Sequence, residues 1–404
     1  MKRAEYSNLR RLKYIGMLLS ASLMLAGCNT EDIVKPTTNG KVTNNNKDEN
    51  STDSVKYKYT STKDTTEYSF KDGQYVLPVI CHVFYSDKND STYIPAERIS
   101  HIFDKVNQYY KANNIGVTFR LTTLPPKGKG IDYAGVEYIP WKNKEISERD
   151  VMGGEKQNAP YKVYLWDPNR YINVMFYAFK PENNKEEYIT LGVSHLPLTY
   201  KGSNQLNGLQ TIDSQYNYLT LENIEWAPCS SINSTYAYEE SSGDSYNTAD
   251  VTVTLAHELG HYLGLLHAFT ENNEGEMVDS CYNSDYCKDT PSYNRVKYMT
   301  WLEDFFKQHQ NDKELRLKDV ALRTGCEVDT FISHNIMDYF MSFTDEFTTN
   351  QKERIYNVLK FSPLMPRSSK LTRTIFEYGN RKVDVKIPVI NEPAFPIWKK
   401  RIRK

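Results

Sequence analysis

The chain contains the stretch Thr254-Leu-Ala-His-Glu-Leu-Gly-His-Tyr-Leu-Gly-Leu-Leu-His-Ala268, which holds three of its eight histidines. In an α-helix, residues four positions apart lie one turn apart on the same face, so His257 and His261 can direct two imidazoles toward one metal ion. Glu258 lies next to His257 and one turn before His261. Its carboxylate can therefore reach a water molecule on the metal without binding the metal itself.

A glycine and a third histidine follow in register. Glycine inside a helix costs about 1 kcal/mol relative to alanine, but it suits the left-handed conformation that ends a helix. We therefore expect the chain to turn at Gly264 and to return His267 as a third ligand. Three histidines leave the fourth position of a tetrahedral zinc open, as a catalytic site requires. The alternative is a chance His-Glu-x-x-His of buried core histidines, which does not explain the register of Gly264 and His267.

The motif His257-Glu258-x-x-His261-x-x-Gly264-x-x-His267 resembles that of the metzincin metallopeptidases. The later stretch Asn335-Ile-Met-Asp-Tyr339 resembles their methionine turn, and most closely the turn of the pappalysin and ulilysin (cytophagalysin) branch. The resemblance covers roughly residues 74 to 362. Three weaker stretches are similar to the same branch: Leu77-Pro-Val-Ile-Cys-His-Val-Phe-Tyr85, Asp289-Thr-Pro291 and Phe347-Thr-Thr-Asn-Gln351.

This resemblance implies a metzincin-like α/β (α+β) fold for a catalytic domain over residues 74–365. Residues 74–266 would form an N-terminal subdomain with a twisted, mostly parallel sheet, an antiparallel edge strand and the active-site helix. Residues 267–365 would form a loop-rich C-terminal subdomain with the methionine turn, and the zinc cleft would lie between the two. In metzincins an extended substrate pairs with the edge strand, and we assign that role to Gly192-Val-Ser-His-Leu196. Within it, His195 is more consistent with a plain surface histidine than with a substrate contact.

The same resemblance implies a zinc-dependent endopeptidase that hydrolyses internal peptide bonds with a zinc-bound water. Glu258 would be the general base, and Met337 would be an apolar floor under the metal, since a thioether is a poor match for zinc. Tyr339 would bond the developing oxyanion, or would simply pack. Two other classes stay open: a non-catalytic surface-binding lipoprotein on a protease-like scaffold, and a zinc amidase acting on cell-wall or glycan substrates.

Local patterns predict the elements around the zinc stretch. Apolar residues at helical spacing predict a helix over residues 95–113, and Asp250 is a plausible N-cap for the zinc helix. Thr300 and Glu303 have the spacing of a capping box, which predicts a helix start after a loop-rich stretch. A last amphipathic helix is predicted near residues 350–361. Strands are predicted at Tyr75–Tyr85, Val117–Leu121, Tyr171–Phe179 and Leu191–Leu198.

The start of the chain has the pattern of a bacterial secretion signal. Residues 1–28 combine a basic beginning with the apolar run Ile15–Ala26, which is too short for a permanent membrane span. Leu25-Ala-Gly-Cys28 resembles the lipobox, so Cys28 is the expected lipidation site, although an ordinary cleaved signal is the alternative. Asn29 at the second mature position favours the outer membrane. We therefore expect a lipid-anchored protein of the cell envelope, on the cell surface or the periplasmic face.

Two further segments flank the catalytic domain. Residues 29–73 are polar and are expected to form a tether or a short propeptide. Residues 366–404 form a C-terminal extension with a basic end. The formal charge of −1 becomes −1 − 4 = −5 without the first 28 residues, whose charges sum to +4. That mildly acidic balance does not favour nucleic acid, so we expect protein or peptide substrates, a monomer, and membrane contact through Cys28.

Cysteines and acidic residues suggest further sites. Relatives carry disulfides between the zinc helix and the methionine turn, so the resemblance implies a bond of Cys326 with Cys281 or Cys287. Cys81 is expected to be a buried free thiol, and a cysteine-rich second zinc site is the weaker alternative. Some relatives also bind calcium near the cleft. The acids between residues 271 and 289 could do so, although their spacing matches no defined calcium loop.

Substrate preference is inferred from the residues after the methionine turn. The arginine-preferring relatives have acidic residues directly after the tyrosine of that turn. Here Phe340 and Met341 follow, and the first acid is Asp345. We therefore predict a preference for apolar or bulky residues over arginine at the position after the cut.

Overall fold

A computed structural model describes residues 69–71, 73–126, 128–131, 133–152, 160–181, 189–213, 219–309, 312, 314–366, 389–394 and 402–403. Its strands are β1 Ser69–Lys71, β2 Gln74–Tyr85, β3 Val117–Leu121, β4 Val136–Pro140, β5 Glu145–Ile146, β6 Ile172–Phe179, β7 Ile189–His195, β8 Thr199–Tyr200, β9 Thr211–Ile212, β10 Ser230–Asn233, β11 Ser245–Tyr246, β12 Leu322–Thr324, β13 Thr330–Ile332, β14 Val389–Ala394 and β15 Ile402–Arg403. Its α-helices are α1 Ala96–Ala112, α2 Glu148–Met152, α3 Val251–Tyr262, α4 Arg295–Gln308, α5 Leu317–Val320 and α6 Thr349–Phe361.

One sheet organises the fold. Its order is β1-β2-β6-β10-β7-β14, with β3 and β4 also paired to β2 and β5 to β6. The pairings of β2 with β3, β4 and β6, and of β6 with β5 and β10, are parallel. Strands β1, β7 and β14 are antiparallel to their partners. The predicted mostly parallel sheet with an antiparallel edge strand is confirmed, but the strand at that edge is β14, which covers the outer side of β7.

The first long strand divides the core between the two faces of the sheet. Alternate residues of β2, including Leu77 and Val79, are fully buried in a cluster that contains α1 and α3. Phe84 faces a second cluster with Trp141 and Tyr177. Burial on both faces explains why β2 and β6 are almost continuously apolar rather than alternating.

The part of the chain after α3 has its own core. Aromatic residues from the segment after His267, from α4 and from the methionine turn pack together there, including Phe269, Tyr298 and Tyr339. The sequence placed the start of α4 at Thr300, and that prediction was wrong. The helix begins at Arg295, and the side chain of Asn294 accepts a hydrogen bond from the amide of Lys297.

Several predictions concern residues that lie outside the described part of the chain. These include the signal and lipidation site at Cys28, most of the polar segment 29–73 and most of the C-terminal extension, and they stay predictions. Across the described residues, every helix is too short or too polar to be a candidate membrane span.

Candidate metal centre

The helix that carries the first two histidines is fixed at both ends by local chemistry. The side chain of Asp250 accepts hydrogen bonds from the amides of Thr252 and Val253, so the predicted N-cap is confirmed. At the other end, Gly264 has φ of +92°, and a Cβ there would lie 2.6 Å from Cγ2 of Val358. Both the left-handed backbone and the lack of space require glycine, and the chain turns back toward α3 at this residue.

The turn brings three imidazoles together. Nε2 of His261 lies 2.9 Å from Nε2 of His257 and 3.1 Å from Nε2 of His267. All three side chains are buried, and they form one of the two potential metal-binding groups among the described residues. Zinc–nitrogen bonds are about 2.0–2.1 Å long, so three nitrogens at these separations can share one ion.

The hydrogen bonds of the Nδ1 atoms determine which nitrogen of each imidazole can bind a metal. Nδ1 of His257 donates to the carbonyl oxygen of Ile336 at 2.7 Å, and Nδ1 of His261 donates to that of Leu265 at 2.8 Å. Nδ1 of His267 lies 2.7 Å from Oε1 of Glu271. Because carbonyl and carboxylate oxygens accept, the protons reside on Nδ1 and the Nε2 lone pairs face one another. Three facing lone pairs repel unless a cation lies between them, so the donor set fits a metal ion.

Burial also favours the neutral form that binds metals. Burial, followed by the charge of a protonated His267, lowers the pKa of His257 to about 3. Burial and the two neighbouring imidazoles hold the pKa of His261 well below its usual range. Uncharged imidazole is the form that coordinates zinc, so these histidines are ready to bind at neutral pH.

The third ligand is held by aromatic rings as well as by Glu271. The ring of Phe269 stacks on that of His267 at 4.7 Å between centroids, and the ring of Tyr339 meets it edge-on at 4.5 Å. Tyr339 is nearly buried and also lies 6.0 Å from the ring of His257. Tyr339 thus lies beside the three histidines. Its catalytic role stays a prediction.

The side chain of Glu258 lies in the same buried region as its two neighbouring histidines. Strand β7 passes directly against it, because a Cβ at Gly192 would lie 2.7 Å from Oε1 and Cγ of Glu258. A side chain at position 192 would therefore displace the carboxylate. Gly192 keeps the strand close to this carboxylate, which is a role that the sequence alone did not reveal.

Met337 forms the floor that the sequence predicted. It is fully buried, and a Cβ at Gly260 would lie 2.5 Å from its sulfur. The sulfur therefore packs onto the bare backbone of α3 between the two helical histidines. The neighbouring Ile336 supplies the carbonyl that orients His257, so the methionine turn supports the metal centre without contributing a ligand.

Three other predictions have clear outcomes. Cys281 is bonded to Cys326, while Cys287 and Cys81 are buried free thiols, so one of the two proposed pairings is confirmed. The interpretation of His195 as a surface residue was wrong. Its Nε2 bonds the carbonyl oxygen of Met152, and burial lowers its pKa to about 4.

The geometry defines a class of protein. Three converging histidines on a helix and the turn after it, a buried glutamate beside them and a methionine turn below are the parts of a metzincin-type metallopeptidase site. Residues 221–360 match the model of the M43 peptidase family, described as pregnancy-associated plasma protein-A. The part of the chain with the site therefore matches the pappalysin type, which supports the assignment of a metalloendopeptidase. This match agrees with the family resemblance that the sequence motifs imply.

Solved structures that match this chain include mirolysin from Tannerella forsythia. The mature protein in complex with a cleaved peptide has 18% identity and a TM-score of 0.43, over 70% of this chain and 91% of that chain. Mirolysin bound to compound 9 has 17% identity and the same TM-score and coverage. A promirolysin mutant has 17% identity and a TM-score of 0.44, over 70% of this chain and 80% of that one. Comparison with curated proteins gives no significant match.

Glu271 is a functional residue whose role the sequence did not predict. The sequence suggested it only as one of several candidate calcium ligands, but its carboxylate orients His267. Replacing Glu271 with alanine is expected to weaken zinc binding by about 10–100-fold, because such partners fix the tautomer and raise the basicity of the ligand. Competition with a chromophoric chelator measures this affinity. The matched control is Glu274→Ala, an exposed residue of the same loop, and equal affinities for both variants would contradict this role.

Proposed function

We propose that this metalloendopeptidase uses a single zinc ion to hydrolyse internal peptide bonds of extracytoplasmic proteins. The observation that carries the proposal is the convergence of three Nε2 atoms, with that of His261 lying 2.9 and 3.1 Å from the other two. Each ring directs its Nδ1 proton to an oxygen on its other side. The M43 match over residues 221–360 supports the same reaction class. An extracytoplasmic substrate follows from the secretion signal that the sequence predicts over residues 1–28.

The chain's own groups would divide the chemistry among them. His257, His261 and His267 would hold the ion, which supplies Lewis acidity toward a carbonyl and lowers the pKa of water. Glu258 would accept a proton from the attacking water and return it to the leaving nitrogen. Its burial against the backbone of Gly192 supports this role, because a buried carboxylate in a fixed position needs little reorganisation during proton transfer.

Tyr339 would act at the oxygen of the scissile carbonyl. Its ring is held against His267 and lies 4.8 Å from the guanidinium carbon of Arg295. A phenol in this place could donate a hydrogen bond to the oxygen of the scissile carbonyl as negative charge develops on it. The reaction would then use one carboxylate to move the proton and one hydroxyl to stabilise the negative charge.

The test is proteolysis with controlled metal content. The purified chain without its first 28 residues should cleave casein, lose the activity with 1,10-phenanthroline and regain it on addition of one equivalent of zinc. No hydrolysis of casein or of any peptide by the zinc-loaded protein would contradict the proposal and favour a binding protein. Release of free amines from cell-wall fragments without casein cleavage would favour an amidase.

We also propose a preference for apolar or bulky residues at the position after the cut. Phe340 and Met341 are buried apolar residues, the carboxylate of Asp338 is paired with two arginines, and that of Glu271 bonds His267. These two carboxylates are thus engaged and cannot pair with a substrate arginine. A cleavage profile on a proteome-derived peptide library is expected to be enriched in apolar residues there, with a Glu258→Gln digest as the blank. Enrichment of arginine would contradict the preference.

Anchoring through Cys28 is proposed from the lipobox-like sequence. A diacylated cysteine holds a protein on a membrane, because each buried methylene contributes about 0.8 kcal/mol. The native chain expressed in a Gram-negative host should partition into detergent-rich phase and sediment with outer membranes. The variant Cys28→Ser should lose the lipid and leave that fraction. Equal partitioning of both forms would show that the lipid is absent or unnecessary.

A further inference from the structure

The outer side of β7 is occupied by the chain's own C-terminal segment. Strand β14 runs antiparallel along β7 with six paired residues, from Val389 opposite His195 to Ala394 opposite Ile189. On its inner side, β7 pairs with β10. Both edges of β7 are thus engaged, although sequence reasoning had assigned Gly192–Leu196 to an open edge.

This strand pair lies beside the catalytic carboxylate. Gly192 of β7 is the residue against which the side chain of Glu258 rests, and its partner in β14 is Glu392. Ser230 of β10 donates a weak hydrogen bond to the carbonyl oxygen of Glu258, which ties the sheet to α3 on the inner side. The segment therefore pairs with β7 at the residue that contacts the proposed general base.

The C-terminal extension has a second attachment. Strand β15 pairs antiparallel with β11, at Ser245 and Tyr246. The hydroxyl of Tyr246 accepts a hydrogen bond from the amide of Met341, which follows the methionine turn. Through β14, the extension thus pairs with the sheet beside α3. Through β15, it pairs with β11, whose Tyr246 is hydrogen-bonded to the segment after the methionine turn.

We propose that Val389–Ala394 is an intramolecular competitor that fills the edge of β7 to which an extended substrate would add, so that the intact chain is restrained. The inference rests on the proposed function and concerns the regulation of the same site. A strand edge offers one row of amide and carbonyl groups, and each group pairs with one partner strand at a time. Peptides that bind by strand addition derive their affinity from this row, so β14 and a substrate exclude each other.

Covalent attachment makes such a competitor effective even when its intrinsic affinity is low. A tethered segment acts at an effective concentration on the order of millimolar. If the free segment bound with a dissociation constant on the order of 100 μM, the tether would reduce the accessible fraction of enzyme ~10-fold. Release of the segment is thus expected to raise kcat/KM by about the same factor, with little change once a substrate saturates the site.

The experiment cuts the extension in the folded protein. A recognition sequence for a site-specific protease is inserted after Leu371 in the chain that lacks residues 1–28, the zinc-loaded protein is cleaved, and the C-terminal fragment is removed by size exclusion. A quenched fluorescent peptide reports kcat/KM before and after cleavage. The matched control carries a scrambled recognition sequence at the same place. We expect a rise of about 10-fold only in the cleavable form, and competitive inhibition on adding back the peptide Val-Ile-Asn-Glu-Pro-Ala.

A disulfide variant tests the same inference without cutting the chain, in case the cut chain unfolds. Val193 and Asn391 are paired in the register, so the double variant Val193→Cys with Asn391→Cys should form a disulfide that locks β14 in place. Its activity should fall under oxidising conditions and return with a phosphine reductant, relative to both single variants treated in the same way.

The outcomes separate the two proposals. Equal kcat/KM for the intact and the cut enzyme, or an oxidised double variant with undiminished activity, would overturn the inhibitory role of the segment. Absence of peptide hydrolysis in every zinc-loaded form would instead contradict the proposed function. In that case the yield of the disulfide between positions 193 and 391 would still report whether β14 pairs with β7 in solution.

Discussion

Replacing Glu258 with glutamine is expected to lower kcat/KM for a protein substrate by about 10²–10⁴-fold while zinc stays bound. Glutamine has the shape of the carboxylate and fills the same space against Gly192, but it cannot accept the proton of the attacking water. The three ligand histidines keep their own Nδ1 partners, none of which is Glu258. Loss of activity is thus predicted without loss of the metal.

The measurement compares initial rates with zinc content per chain. Glu303→Gln is the matched control, since Glu303 is an exposed residue of α4 far from the three histidines in sequence. It should leave both quantities unchanged. Retention of most of the activity in the Glu258 variant would refute the general-base role, and loss of zinc together with activity would show that this carboxylate acts through the ligand set.

Structural features that depend on a few neighbouring residues could be predicted from the sequence. The N-cap at Asp250, the turn at Gly264 and the helix predicted over residues 95–113 all depend on caps, glycine chemistry and 3.6-residue periodicity. The candidate metal site was predictable for the same reason, because spacing on one helix and one turn brings the three histidines together.

The incorrect predictions concern residues whose structure depends on tertiary contacts. Thr300 and Glu303 offered a plausible capping box, yet α4 begins a turn and a half earlier, because Asn294 caps it and Arg295 is drawn into a buried ion pair with Asp338. His195 occurs in a segment that could have been exposed, but β14 and β10 enclose its strand. Asn294 is itself a good local N-cap, so the choice between it and Thr300 depends on the tertiary contacts of Arg295.

The role of Glu271 and the pairing of β14 were unpredictable in a different way. Glu271 lies four residues after His267, but that spacing has meaning only in a helix, and this segment is a loop. The partner of β14 lies about 200 residues earlier in the chain, and strand pairing at that distance is not encoded in the local pattern. The function class was thus accessible from one motif, whereas the regulation that we propose required the fold.

Replacing Asp338 with alanine is expected to lower the free energy of unfolding by about 3–5 kcal/mol, because it leaves two buried guanidinium groups without their counter-ion. Arg295 and Arg323 contact opposite oxygens of this carboxylate at 3.3 and 3.2 Å, and all three side chains are almost fully buried. The hydroxyls of Tyr293 and Ser333 donate to the same two oxygens. Loss of the carboxylate destabilises such a site strongly, because each arginine stays buried away from water without its partner.

Chemical denaturation followed by tryptophan fluorescence measures the change. The matched control is Asp304→Ala, which breaks the ion pair with Lys307 on the surface of α4, where the carboxylate is 62% exposed. That pair should contribute less than about 1 kcal/mol. Similar losses in the two variants would show that the buried network does not stabilise the fold.

The same network makes stability depend on pH. Burial alone would raise the pKa of Asp338, but the charges of Arg323 and Arg295 and the hydrogen bonds from Ser333 and Tyr293 outweigh it and lower the pKa below its ordinary value. A group whose pKa is lower in the folded state stabilises the fold above its unfolded pKa of about 3.9, and that contribution is lost as the pH falls through the folded pKa. The wild-type chain should thus lose stability more steeply below pH ~4 than the Asp338→Ala variant.

The position of Asp338 in the chain links this stability to the metal centre. It lies between Met337, which packs on α3, and Tyr339, whose amide donates to the Asp338 carboxylate at 2.7 Å. Loosening the turn would also release the carbonyl of Ile336 that orients His257. We therefore expect the alanine variant to bind zinc more weakly even under conditions where it is fully folded, and chelator competition at 10 °C below its melting point tests this. Unchanged zinc affinity in a folded but destabilised variant would mean that the turn holds its shape without the network.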